Sequence, residues 1–142
     1  MLDLRFHHVG IGTTDFDGAI DVYCRLGHRL HSRVDDRGLN VRVAFLRAPG
    51  EGGPWIEILA PLAAGGPLDS LIARKALPSP YHTCYSTTVL EGAAAGLVDL
   101  GFAQISKSRS AVAFGGARVA FFYSGEVGML ELVENPPDWS GP

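Results

Sequence analysis

The sequence predicts an α+β fold made of two tandem βαβββ modules contributing to one mixed sheet. Two observations carry this. The chain repeats itself: a shift of 74 residues lays His8 on His82, Thr13 on Thr87, Thr14 on Thr88, Gly18 on Gly92, Ala19 on Ala93, Leu26 on Leu100 and Gly27 on Gly101. Asp17 then meets Glu91, and Glu57 meets Glu131 with no gap. Each copy also shows the same order of patterns: a β-rich run, a helical stripe closed by glycine, then three strand candidates.

The elements follow in order. Phe6 to Gly12 and Tyr81 to Thr87 are short β-rich runs. Thr14-Asp15-Phe16-Asp17 and Thr88-Val89-Leu90-Glu91 fit Thr-x-x-acid, in which a hydroxyl caps free N–H groups and the acid reaches back. Phe16, Ala19, Ile20 and Tyr23 form an apolar stripe at helical spacing, as do Leu90, Ala93, Ala94 and Leu97. Gly27 and Gly101 stand where a left-handed residue ends a helix. The strands expected next are His28–Val34, Leu39–Arg47 and Trp55–Ala60, then Ala103–Lys107, Arg118–Tyr123 and Met129–Glu134. Between the copies, Pro67 to about Leu77 reads as a linker helix, with proline in its first turn and Arg74 and Lys75 in its last. The expected organisation is therefore a module over 1–63, a linker helix within 64–78, a module over 79–135 and an irregular tail over 136–142.

Four repeat-matched residues point to a metal. Side chains alternate faces along a strand. His8 thus shares a face with Phe6 and Gly10, His82 with Cys84 and Ser86, Glu57 with Trp55 and Leu59, and Glu131 with Met129 and Val133. Both glutamates lie in apolar strands, where an unpaired carboxylate is costly to bury. Two neutral imidazoles and two carboxylates cancel the charge of one divalent ion, and this donor set suits Mn, Fe, Co, Ni or Zn. His7 competes with His8, but its repeat partner is Tyr81. His28 and His31 have no repeat counterpart and read as surface strand residues, and Cys84 as a small core or cup-lining one.

Composition excludes several classes. A net charge of -3 and a pI near 5.9 give no pull toward nucleic acid or an anionic membrane. No run reaches the roughly 18 apolar residues of a membrane helix. Met1-Leu2-Asp3-Leu4-Arg5 lacks the features of a signal peptide, so a cytoplasmic location is expected. Two cysteines, Cys24 and Cys84, suggest neither a disulfide framework nor a zinc ribbon. Gly50 to Gly53 has no Lys-Ser or Lys-Thr after it, and no Gly-x-Ser-x-Gly elbow occurs. Arg42, Arg74, Lys75, Lys107, Arg109 and Arg118 are scattered; one or two could grip a substrate carboxylate or phosphate, and spacing does not choose among them.

The repeated βαβββ pattern with His, Glu, His, Glu on strands resembles the vicinal oxygen chelate superfamily, also called the glyoxalase/bleomycin-resistance/dioxygenase fold. Within it the chain is most similar to the methylmalonyl-CoA epimerase family. The carrying segments are His7-His8-Val9-Gly10-Ile11, Ile56-Glu57-Ile58-Leu59-Ala60-Pro61-Leu62, Pro67-Leu68-Asp69-Ser70-Leu71-Ile72, Tyr81-His82 and Leu130-Glu131-Leu132-Val133-Glu134. The resemblance implies a cup-shaped sheet with one divalent metal ion at its base, held by His8, Glu57, His82 and Glu131, and a homodimer. It implies an epimerase or isomerase acting through an enolate on an acyl-CoA or related acyl thioester, with Glu131 and Glu57 as acid and base. The pattern departs from the epimerases at two points. Leu39 to Phe45 carries no carboxylate, and Tyr81-His82-Thr83-Cys84 stands where two histidines are common. Another metal-dependent glyoxalase-type isomerase, lyase or tailoring enzyme, and a metal-free protein that sequesters a small molecule, are the alternatives. Arg42, Tyr85, Phe114 and Phe122 are the side chains to inspect for a substrate-binding lining.

Overall fold

The computed structural model describes residues 2–139; the end of the predicted tail, 140–142, lies outside them. These residues form nine strands of a mixed sheet and three α-helices. Two compact units emerge: residues 8–81, and residues 2–7 with 82–139. Among the described residues no helix is long and apolar enough to cross a membrane.

In the unit of residues 8–81, β1 (Arg5–Gly12, entering the unit at His8) leads to α1 (Phe16–Arg25), β2 (Arg29–Asp36), β3 (Val41–Arg47), β4 (Trp55–Pro61) and α2 (Asp69–Ala73). The strand order is β2-β3-β4-β1: antiparallel until β4, then parallel between β4 and β1. A parallel neighbour requires a long crossover, which α1 and the β2–β3 hairpin supply. Phe16 and Ile20 of α1 bury against Ala44, Leu46, Ile58 and Ala60, with Ala19 and Tyr23 at the margin. That is the predicted stripe packed on alternate residues of β3 and β4.

The other unit repeats the plan. β5 (Ser79–Thr87) leads to α3 (Leu90–Asp99), the short β6 (Ala103–Gln104) and β7 (Arg109–Ser110), one 3-10 turn at Val112–Phe114, β8 (Arg118–Ser124) and β9 (Gly128–Glu134). β5 runs parallel to β9, β9 antiparallel to β8, and β6 and β7 both pair with β8. Leu90, Ala93 and Leu97 pack on Ala120, Phe122, Leu130 and Leu132, and Leu2 and Leu4 from the chain's start join this core.

Several local expectations need correction. The predicted strand Ala103–Lys107 loses its regular form after Gln104: the Ile105 N–H still donates to the Phe121 carbonyl at 2.9 Å, and strand pairing resumes at Arg109. Between them the Ser106 hydroxyl accepts from the Phe121 N–H at 2.9 Å, replacing a ladder bond with a side-chain one. The linker helix is shorter than Pro67–Leu77, with Leu68 at its N-terminus fully buried. The helix starts are also not capped by Thr14 and Thr88. Asp15 is the N-cap of α1 and accepts from the Gly18 N–H at 3.0 Å. The repeated threonines at work are Thr13 and Thr87, whose hydroxyls accept from the N–H two residues on. Gly27 and Gly101 hold φ of +98° and +99°, and the chain reverses there as expected.

α3 has no side-chain cap of its own. Its Leu90 N–H donates instead to Glu134 Oε2 at 2.7 Å, from the end of β9. Arg118 on β8 then binds both Glu134 and Glu91, with Nη–O distances of 2.9 and 2.7 Å. These contacts hold the Glu91 carboxyl below its ordinary range, chiefly through Arg118. They hold Glu134 below its range too, through the Leu90 N–H and then Arg118. Groups with depressed folded pKa contribute stability above their unfolded pKa and lose it as pH falls through the folded one. Arg118→Gln should therefore lower the urea midpoint at pH 7, and the gap to the wild type should close as pH falls below about 4. A gap unchanged across that range would show that the network adds no pH-linked stability.

Candidate metal centre

The alternation that builds each core leaves a second face on the same strands. In residues 8–81, Ile56, Ile58 and Ala60 face α1, so Glu57 faces away with Trp55 and Leu59. Gly10 is the register partner of Glu57 on the parallel strand, and Phe45 its partner on the antiparallel one. This places His8 Nε2 3.4 Å from Glu57 Oε1. The imidazole is fully buried and the glutamate nearly so. The Phe45 ring meets the His8 ring edge-on at 5.1 Å and fixes its plane.

The second unit reproduces this pair. Cys84 is the partner of Glu131 on the parallel strand and Phe121 on the antiparallel one. His82 Nε2 lies 3.2 Å from Glu131 Oε1, and both residues are buried. Phe121 meets the His82 ring edge-on at 5.8 Å. The two phenylalanines are functional neighbours that the repeat search misses. The shift of 74 lays Phe45 on Val119; Phe45 and Phe121 match only with a gap of two residues. The signal that finds them is strand alternation opposite each glutamate.

The donor set fits a divalent ion. Imidazole and carboxylate together suit first-row metals. Two ligands each about 2.1 Å from one ion, at angles between octahedral and tetrahedral, lie about 3.0–3.4 Å apart. Both His–Glu pairs show that spacing. Each unit thus holds one buried imidazole–carboxylate pair able to ligate a metal ion, His8 with Glu57 and His82 with Glu131.

Other candidate residues lie elsewhere. His7 packs in a ring cluster with Phe114 and Trp139, at 5.5 and 5.7 Å. Phe6, two residues before His8 on β1, is half exposed and meets Tyr85 edge-on. Arg42, Tyr85 and Phe122 are corrected as lining candidates. Arg42 lies over the Phe16 ring of α1, while Tyr85 and Phe122 belong to the α3 core. Parity on their strands puts them on the helix face. His31 is exposed, and Cys84 is fully buried.

Fold and donor set together define a known class. The family model described as the Glyoxalase/Bleomycin resistance protein/Dioxygenase superfamily matches residues 7–121, and the chain belongs to that superfamily. Among solved structures, a hypothetical protein from Bacillus halodurans C-125 shares the fold with a TM-score of 0.82 and 22% identity, covering 99% of this chain and all of that one. The methylmalonyl-CoA epimerase from Mycobacterium tuberculosis matches with a TM-score of 0.80 and 26% identity, over 93% of this chain and 88% of that one. A Streptomyces coelicolor methylmalonyl-CoA epimerase variant in complex with 2-nitronate-propionyl-CoA matches at 0.77 and 20%, over 92% and 93%. No curated protein sequence matches this chain.

Proposed function

We propose that the chain is a metal-dependent epimerase or isomerase of an acyl-CoA or related acyl thioester, with one divalent ion held by His8, Glu57, His82 and Glu131. The observation that carries this is the pair of buried imidazole–carboxylate couples, each at ligand spacing and each repeated on equivalent strands. Membership in the superfamily and the likeness to epimerases of known structure support it. When bound, the ion supplies positive charge where negative charge develops on the substrate oxygens. The chain's own residues do the rest. The edge-on phenylalanines Phe45 and Phe121 keep the two imidazoles in orientation and water away from them. One of Glu57 and Glu131 takes the proton from the carbon next to the thioester carbonyl, and the other returns a proton from the opposite side. No external oxidant or reductant is needed, because a C–H bond breaks and a C–H bond forms.

The face of β3 beside Glu57 favours a second reading. Val41, Val43 and Phe45 occupy it, so no third carboxylate is offered there. A related isomerase or lyase of the superfamily would need only the two glutamates.

Elemental analysis of untagged protein, beside His82→Ala, tests the metal. About one ion per chain, lost in the variant, is the expected result. Exchange of the methylmalonyl-CoA α-proton with heavy water then separates the epimerase from the second reading. No ion bound, even after loading with Mn, Co, Ni or Zn, would refute both.

A further inference from the structure

One end of the Glu57 face in residues 8–81 carries an arrangement that the metal does not explain. Arg29 on β2, Arg47 on β3 and Trp55 on β4 are successive register partners, so the three side chains stand in one row across the sheet. Trp55 precedes Glu57 by two residues on the same face, about 7 Å along the strand. The Arg47 guanidinium lies over the Trp55 ring, 5.9 Å from its centroid. His31 is the extra residue of a β-bulge between Leu30 and Ser32, and its ring meets Trp55 edge-on at 5.1 Å. Bulges re-aim a side chain that strict alternation would send elsewhere.

The charges in this row are unbalanced. Arginines directly opposite each other on neighbouring strands repel. Elsewhere in the chain an acid answers four of the arginines: Asp21 for Arg25, Asp17 for Arg33, Asp35 for Arg42, and Glu91 with Glu134 for Arg118. Neither Arg29 nor Arg47 has an ion-pair or hydrogen-bond partner among the described residues. Arg29 and His31 are exposed and Arg47 is half-buried, so the row is open to a ligand. The Arg47 guanidinium makes a cation–π contact with the Trp55 ring, and its N–H donors make no hydrogen bond among the described residues, which suits capture of a bidentate anion.

We infer that Arg29, Arg47, His31 and Trp55 form a phosphate-binding site. Two guanidiniums and an imidazole match a dianion with three or more acceptor oxygens better than a single carboxylate. The ligand is a phosphate-bearing molecule whose anionic group sits at this row, about one strand repeat from Glu57. The inference stands on residues 8–81 alone and does not require the metal.

Coenzyme A, pantetheine and inorganic phosphate are the probes, titrated into the metal-free full chain. Trp55 emission reports binding in a Trp139→Phe background, which removes the other tryptophan. Calorimetry on the unmodified background gives the same information without that substitution. Coenzyme A should bind saturably and pantetheine, which lacks phosphate, should not. Arg47→Ala and Arg29→Ala should each weaken binding about tenfold or more with unchanged Tm. Coenzyme A binding far tighter than inorganic phosphate assigns the site to an organic phosphate, and equal affinity assigns it to the free anion. Both results support a phosphate site. Pantetheine binding as tightly as coenzyme A, full affinity in both arginine variants, or no binding of either phosphate probe would overturn it. Because the titration is run without metal, its failure is separate from failure of the metal reading.

Discussion

Glu57→Gln and Glu131→Gln, made together, should yield a folded chain that no longer retains a divalent ion. Each carboxylate is buried in an apolar strand beside one imidazole. Losing one partner of a buried charge pair at a binding contact costs about 2–5 kcal/mol. That is roughly 30-fold to several thousand-fold in ion affinity for each substitution. Glutamine keeps the shape, so the apolar packing around Leu59 and Val133 is preserved. The metal-free variant should unfold at a Tm equal to or above that of the metal-free wild type, because burying a neutral amide costs less than burying a carboxylate. The rise in Tm that Mn or Co gives the wild type should vanish. A metal-free variant several degrees less stable, from a wild type indifferent to metal, would instead make the two His–Glu couples structural ion pairs.

Phe122→Ala should lose about 3–5 kcal/mol of unfolding free energy, the usual cost of deleting a buried aromatic ring. Phe122 is fully buried, between Leu90 and Leu97 of α3 and Leu130 of β9. The urea midpoint measures the loss. Tyr123, next in the chain and half exposed, provides the contrast: Tyr123→Ala should change the unfolding free energy by under about 1 kcal/mol. A comparable loss at both positions would mean that β8 is not packed as described.

Much of this was legible from residue order. The helix stripes, the closing glycines and the strand that carries each glutamate follow from spacing, because periods of 2 and 3.6 leave a mark in any amphipathic element. The two buried pairs, His8 with Glu57 and His82 with Glu131, were legible for a different reason. The same pattern is written twice, and a shared register separates it from single histidines such as His28. What spacing misjudged were the contacts made by distant residues. Thr88 and Glu91 fit a capping box, yet the free N–H of Leu90 goes to Glu134, 44 positions away, and Glu91 goes to Arg118. Local sequence reads a cap as a local matter, whereas the energy depends only on which acceptor arrives.

The row of Arg29, Arg47 and Trp55 shows the same division most clearly. Each residue is unremarkable where it stands in the chain, and nothing within several positions marks any of them for binding. Residue order settled the modules, the repeated glutamate strands and the helix faces, because those depend on periodicity and on patterns copied by duplication. Folding settled the pairing partners: which phenylalanine orients each imidazole, which arginine anchors α3, and which two arginines stand side by side without an acid. Those contacts depend on strand register, and register is fixed by the packing of whole strands rather than by the residues that end up touching.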